Sequence, residues 1–216
     1  MRSKPSRPTF VELARRSQIL DGAIELIAEQ GFVNASIARI AERVGVAKSA
    51  VLYYFAGKDD LVGAVVQQVM AGAAEVIVPA VLGEDTAAGK LRTYIRSNCT
   101  FLDAHRTESV ALFEIMTSFR TPDGLRLDQA ILRSVEADPP PSAIALLDPL
   151  WIIEEGVQAE EFTAVNTLFF KNALRAALDG AVSELARDMS YDVIGYGEQL
   201  IAIFDRATIG GGGSSS

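Results

Sequence analysis

Cysteine and histidine are nearly absent from this 216-residue chain, which holds one of each, Cys99 and His105. A single thiol excludes an internal disulfide framework, and the two residues together fall short of the ligand set of a structural zinc site. Such cysteine usage fits a reducing cytoplasm. Long apolar runs are missing too: read on the sequence, no stretch approaches the ~18 apolar residues of a bilayer-crossing helix, and residues 1–12 lack the apolar run of a signal peptide. No membrane partner is therefore expected. Convincing strand alternation is also absent, which leaves helices as the building material. Neither a Ser-His-Asp set, nor a Gly-rich phosphate loop, nor a carboxylate pair beside a His or Cys occurs. The adjacent acids Glu154 and Glu155 diverge by ~100° on a helix and cannot share one substrate. No catalytic residue, metal ligand or cofactor is expected.

What is present is an uneven charge. The net charge of −8 argues against nucleic acid until the charges are placed along the chain. Residues 1–58 hold nine Lys or Arg against five Asp or Glu, a net +4, and the remainder carries −12. Within the basic part, residues 36–58 (SIARIAERVGVAKSAVLYYFAGK) read as two short helices around a tight turn. Ile37, Ile40, Ala41 and Val44 recur at three- and four-residue spacing on one stripe, with Arg39, Glu42 and Arg43 on the other side. Ser36 stands at the N-cap position, and Gly45 follows the last periodic residue, where a left-handed backbone costs glycine little. The second helix, about Lys48 to Phe55, turns Val51 and Phe55 inward and leaves Lys48, Ser49, Leu52 and Tyr53 outward. One cation, small residues and tyrosine hydroxyls suit the DNA major groove. Two helices joined by a glycine turn make a helix-turn-helix.

Ser36, Gly45, Val46, Lys48, Tyr53, Tyr54, Phe55, Lys58 and Leu61, taken in register, resemble the DNA-binding domain of the TetR family of bacterial transcriptional repressors. Upstream, RSQILDGAIELIAEQGF, residues 16–32, resembles the first helix of that family with its terminal Gly-Phe. Leu52, Ala50 and Ala47 depart from the tyrosine, threonine and capping serine common at those places, so an operator sequence cannot be carried over. The resemblance implies an all-α fold with an N-terminal three-helix DNA-binding domain and a larger C-terminal helical domain for ligand binding and dimerisation. It also implies a DNA-binding set of Ser36, Lys48, Ser49, Ala50, Leu52, Tyr53, Tyr54 and Lys58, the last on a phosphate. The partners implied are a double-stranded DNA operator, a small-molecule effector and a second copy of the chain.

In chain order, MRSKPSRP is a basic, proline-containing arm, and Thr9 with Glu12 has the spacing of a capping box that opens a helix running to about Glu29. Leu13, Ile19, Leu20, Ala23, Ile24 and Ile27 are its expected buried side, and Gly31 ends it. After Lys58 a helix is expected to about Val78, where Pro79 marks the end. Residues 87–104, 107–119, 124–137, 142–156, 162–185 and 190–207 all show helical spacing, giving about ten helices in two lobes. The domains expected are an arm (1–9), a reading domain (10–58), a ligand-binding and dimerisation domain (59–208) and a tail (209–216) whose GGGGSSS is a flexible linker.

The family keeps an apolar cavity in its larger lobe, and the resemblance places Phe101, His105, Phe113, Met116 and Trp151 around it. Polar candidates beside them are Glu114, Arg120, Asn166 and Asn172. Each aromatic also fits a plain core position, and a lone histidine carries no partner signature. The last two long helices are apolar on more than one face, which suits a two-fold four-helix contact between copies. The expected function is a ligand-responsive homodimeric repressor; a helical enzyme or an adaptor that binds no DNA are the alternatives.

Overall fold

The computed structural model describes residues 9–121, 123–127, 129, 143–163 and 166–208. The expected arm up to residue 8, most of the expected helix 124–137 and the tail 209–216 lie outside the described residues. Among the described residues the regular elements are all helical: α1 (Phe10–Gln30), α2 (Ile37–Val44), α3 (Lys48–Tyr54), α4 (Lys58–Leu82), α5 (Ala87–Ala104), α6 (Arg106–Ser118), a 3₁₀ turn (Ala145–Leu147), α7 (Leu150–Gln158), α8 (Thr167–Arg187) and α9 (Val193–Thr208). Among the described residues the one pairing of extended backbone is an isolated bridge between Arg120 and Arg126.

Four of the described helices, α1, α2, α5 and α8, start on a side-chain cap. Thr9 and Glu12 form the full reciprocal capping box of α1. Ser36, Thr86 and Asn166 accept backbone N–H groups at the starts of α2, α5 and α8. A second cap on α5 comes from far along the chain: the Glu161 carboxylate accepts the N–H groups of Ala87 and Ala88 at 3.1 and 3.0 Å. Gly45 stops α2 in the left-handed region (φ 72°), and the Val46 N–H reaches back to the Ala41 carbonyl at 2.9 Å.

Several expectations need correction. Pro79 does not end α4, which continues to Leu82. A proline forfeits one hydrogen bond to the fourth residue back, here Glu75, and an exposed last turn tolerates that loss. Leu13, expected on the buried side of α1, is 52% exposed. The stretch 142–156 is not one helix: the 3₁₀ turn and Pro149 precede α7. Phe162 lies ahead of α8 and packs its ring against Gly156, where an added Cβ would sit 2.2 Å from that ring. Finally, α4 is long and apolar enough to cross a membrane, with a mean hydropathy of 1.7. Half of that apolar stretch is buried in the fold, Leu61, Val62, Val65, Val69 and Ile77 among it, which is the use a core helix makes of such a sequence.

The core is continuous. α5 is its axis: α4, α7 and α9 pack around it, while α6 lies between α1 and α8. Ion pairs Arg92–Asp205 (2.8 Å) and Arg96–Glu198 (3.0 Å) close the α5–α9 seam, and Gly197 admits the Cys99 side chain there. Two paths join the small N-terminal unit to the rest. One is the unbroken α4; the other is α1 on α6, where Phe32 meets Phe119 edge-on with centroids 5.8 Å apart.

Candidate nucleic-acid interface

α3 is held from behind and open in front. Val51 and Phe55 are fully buried, while Lys48, Ser49, Leu52 and Tyr53 are exposed, Tyr53 at 73%. The period of the helix produces this split. Tyr53 and Tyr54 stand edge to face (5.0 Å), and the Tyr53 hydroxyl donates to Glu12 Oε1 at 3.4 Å. Ala50 and Tyr54 are half-buried and flank the open face. Ala47 makes no side-chain cap, so no side chain covers the start of α3. Ser36 uses its oxygen to cap α2 and keeps its hydroxyl proton free to donate outward.

α3 takes its orientation from α2, and α2 takes its own from α1. Gly22 lets the two helices approach so closely that a Cβ there would lie 2.4 Å from Val44 Cγ2. Arg43 pairs with Glu25 (3.4 Å) and with Glu29 across the same seam, and this pairing holds the Glu29 carboxyl below its usual range. Arg43 therefore fastens helices together. Arg16 is a cation that sequence periodicity did not single out: its guanidinium lies over the Phe55 ring at 4.9 Å, beside the end of α3. The signal for it was present only as the inward turn of Phe55.

Lys58 departs from expectation. Its ammonium donates to the Phe32 carbonyl at 2.7 Å and lies 4.0 Å from the centre of the Phe32 ring, and burial pushes its pKa down, offset in part by Asp59. The resemblance implied a phosphate contact for Lys58; the structure gives the ammonium this second engagement within the fold. It ties the start of α4 to the α1–α2 connection.

The proposed effector residues do not all converge. Phe101 and His105 stack at 4.5 Å, and His105 Nδ1 lies 3.6 Å from Glu108. Phe113 and Met116 are half-buried on α6. Trp151 is elsewhere: its ring is 5.7 Å from Lys90 near the other end of α5, and its Nε1–H donates to Leu146. Lys90 and Phe101 are separated by ~16 Å of helix axis at 1.5 Å per residue, so a compact ligand does not touch both Trp151 and His105. The polar candidates have local partners or open surroundings: Asn166 caps α8, Arg120 donates to Thr117 and Phe119, and Asn172 is exposed. Two surface recesses, of ≈ 490 and ≈ 480 Å³, lie between α1 and α2 and along Ala71–Pro79 of α4. None of the five residues lines either one.

Sequence reasoning missed a polar group inside the larger lobe. Tyr94 of α5 is fully buried; its hydroxyl donates to the Leu147 carbonyl (2.9 Å) and accepts from Arg175 Nη1 of α8 (3.0 Å). Asp179, one turn on, lies 3.8 Å from the same guanidinium, and Lys171, one turn back, pairs with Asp148 at 3.3 Å. Burial pushes the Asp179 carboxyl up, with Arg175 opposing. The 171–175–179 spacing along α8 could have been noticed as a charged stripe on an otherwise apolar helix.

Against this geometry the likenesses to known proteins fall into place. Residues 19–65 match the family model described as bacterial regulatory proteins, tetR family. Along nearly its whole length the chain is similar to the fatty acid metabolism regulator protein of Bacillus subtilis, 24% identical over 203 residues covering 93% of this chain and 95% of that one. It is 39% identical to the HTH-type transcriptional regulator BetI 1 of Chromohalobacter salexigens, over 56 residues that cover 26% of this chain and 28% of that protein. Among solved structures, FadR from Bacillus subtilis in complex with stearoyl-CoA has the same fold, with a TM-score of 0.71 at 21% identity over 89% of this chain and 99% of that one.

Proposed function

We propose that the chain is a member of the TetR family of bacterial regulatory proteins, and that it is a cytoplasmic, homodimeric repressor released from its operator by an amphipathic effector with a long acyl chain. In this reading residues 10–58 read DNA and residues 59–208 bind effector and second copy. The observation that carries it is the face of α3: a cation, two hydroxyls and an exposed leucine, presented on a helix whose back is locked into the core. Lys48, Ser49 and Tyr53 approach base edges, with Ala50 and Leu52 allowing close contact and Ser36, Tyr54 and Arg16 along the backbone. Lys58 acts by positioning α4. The acyl effector is supported by the names of the relatives that match along the whole chain.

Apolar residues left open on α8 and α9, Phe169 at 70% and Ile203 at 56%, support dimerisation through those helices. Release requires that the effector bind the non-DNA conformation better, and a coupling of ~1–3 kcal/mol lowers operator affinity about 5- to 150-fold. α4 and the α1–α6 contact are the two elements through which a change in the lobe reaches α3. The test is a gel shift with DNA from upstream of the protein's own gene, with and without stearoyl-CoA. Retardation relieved by the thioester is the expected result; no retardation of any fragment at low salt would refute DNA reading.

A further inference from the structure

Arg175 is an unusual use of an arginine. A guanidinium carries five N–H donors. Among the described residues one hydrogen bond is made, to Tyr94, and Asp179 at 3.8 Å stands beyond hydrogen-bond reach. The Tyr94 hydroxyl lies in the centre of the lobe, yet the Arg175 side chain that touches it keeps 43% of its surface. A side chain that touches a buried hydroxyl and remains accessible links the interior of the lobe to its surface. Its Nη1 is fixed: Tyr94 is itself anchored by the Leu147 carbonyl, so the donor fork is oriented before any ligand arrives. Around it the charges alternate. Lys171 pairs with Asp148 at 3.3 Å, and Arg175 lies 3.8 Å from Asp179.

We propose that Arg175, oriented by Tyr94, holds the oxyanion of the amphipathic effector, a carboxylate or a phosphate, with the apolar part of the molecule lying among the surrounding helices. The inference rests on the effector reading above and adds the head group to it. A planar fork with unused donors matches a two-oxygen anion bidentately, and charge-assisted bonds of this kind are the strong ones. Asp179 is the competitor: an incoming oxyanion replaces it as the nearest negative charge on the guanidinium. Removing the competitor and removing the anchor must then act in opposite directions, a pattern that general loosening of the lobe does not produce.

The experiment measures binding of stearate, stearyl alcohol and stearoyl-CoA, each below its micellar concentration, to the full-length protein and to Arg175→Gln, Asp179→Asn and Tyr94→Phe. Circular dichroism checks each variant's fold, and a gel shift reads release. The parent should bind at least one anionic ligand about 10-fold or more tightly than the alcohol. Arg175→Gln should erase that preference by weakening the anion far more than the alcohol, Asp179→Asn should tighten the anion, and Tyr94→Phe should weaken it part of the way. Preference for stearate identifies a carboxylate, and preference for stearoyl-CoA alone identifies the phosphates. An Arg175→Gln protein that still prefers the anion as the parent does would overturn the anchor while leaving the effector reading standing. Asp179→Asn settles the matter if Arg175→Gln fails to fold, since unchanged or weaker anion binding there also overturns it. If none of the three ligands binds the parent, the anchor and the acyl effector fall together, whereas DNA reading is unaffected.

Discussion

Lys58 and Cys99 show how far a residue's role depends on what lies beside it. By resemblance Lys58 reads as a phosphate contact; in the fold its ammonium donates to the Phe32 carbonyl and lies over the Phe32 ring, because the α1–α2 connection passes over the start of α4. Nothing in the local sequence encodes that crossing. Lys58→Ala should accordingly cost stability, about 1 kcal/mol from the lost hydrogen bond, measured by denaturant unfolding. Cys99 lies against Gly197, and burial pushes its thiol up to about 11 from the ordinary 9.0. Its folded pKa exceeds its unfolded one, so the associated stability is complete below pH ~9 and is lost as pH rises toward ~11. The native thiol should react with a disulfide reagent at pH 8 far more slowly than the urea-unfolded one; equal rates would mean that the α5–α9 seam opens freely.

At the scale of elements, the local signals were the most legible. The capping box at Thr9, the Ser36 cap, the left-handed Gly45 and the span 87–104 are all present as read, because each is settled by a few neighbouring residues. Boundaries decided by distant packing were not legible. Pro79 stays within α4, Leu13 has nothing to cover it, and Phe162 leaves its expected helix to fill the space above Gly156. The same close approaches give a direct test. A Cβ on Gly197 would lie 2.7 Å from Cys99 Sγ and 3.0 Å from its Cβ, so Gly197→Ala should destabilise by ~1–3 kcal/mol through overpacking. Gly63, with nothing near its Cβ direction, is the control: Gly63→Ala should be neutral or stabilising by up to ~1 kcal/mol. Thermal unfolding of both variants distinguishes a packing constraint from a general helix effect.

For the whole molecule, the division of α3 into inward and outward residues was legible, and the spatial grouping of the residues proposed for an effector was not. The face is a single helix whose period separates inward from outward residues, whereas a cavity is assembled from helices distant in sequence. Trp151 and His105 share an aromatic stripe on paper and lie toward opposite ends of α5, and Arg175 with Tyr94 joins α8 to α5 across eighty-one positions. The assembly predicted has two recognition helices ~34–36 Å apart on a near-palindromic operator. Phe169→Glu with Ile203→Glu should yield a monomer by sedimentation at micromolar concentration and weaken operator binding; a stable dimer of that variant would move the interface away from α8 and α9. The central claim, that the outward face of α3 reads DNA while Lys58 supports it from within, is tested most directly by operator affinity across a salt series for the parent, Lys48→Ala and Lys58→Ala. Each phosphate contact contributes about one unit to the slope of log affinity against log salt. Lys48→Ala should lower affinity and, if the ammonium also touches phosphate, flatten the slope by up to about one unit, whereas Lys58→Ala should keep the parent's slope. A Lys48→Ala protein with the affinity and slope of the parent, alongside a Lys58→Ala protein with a flattened slope, would contradict the account.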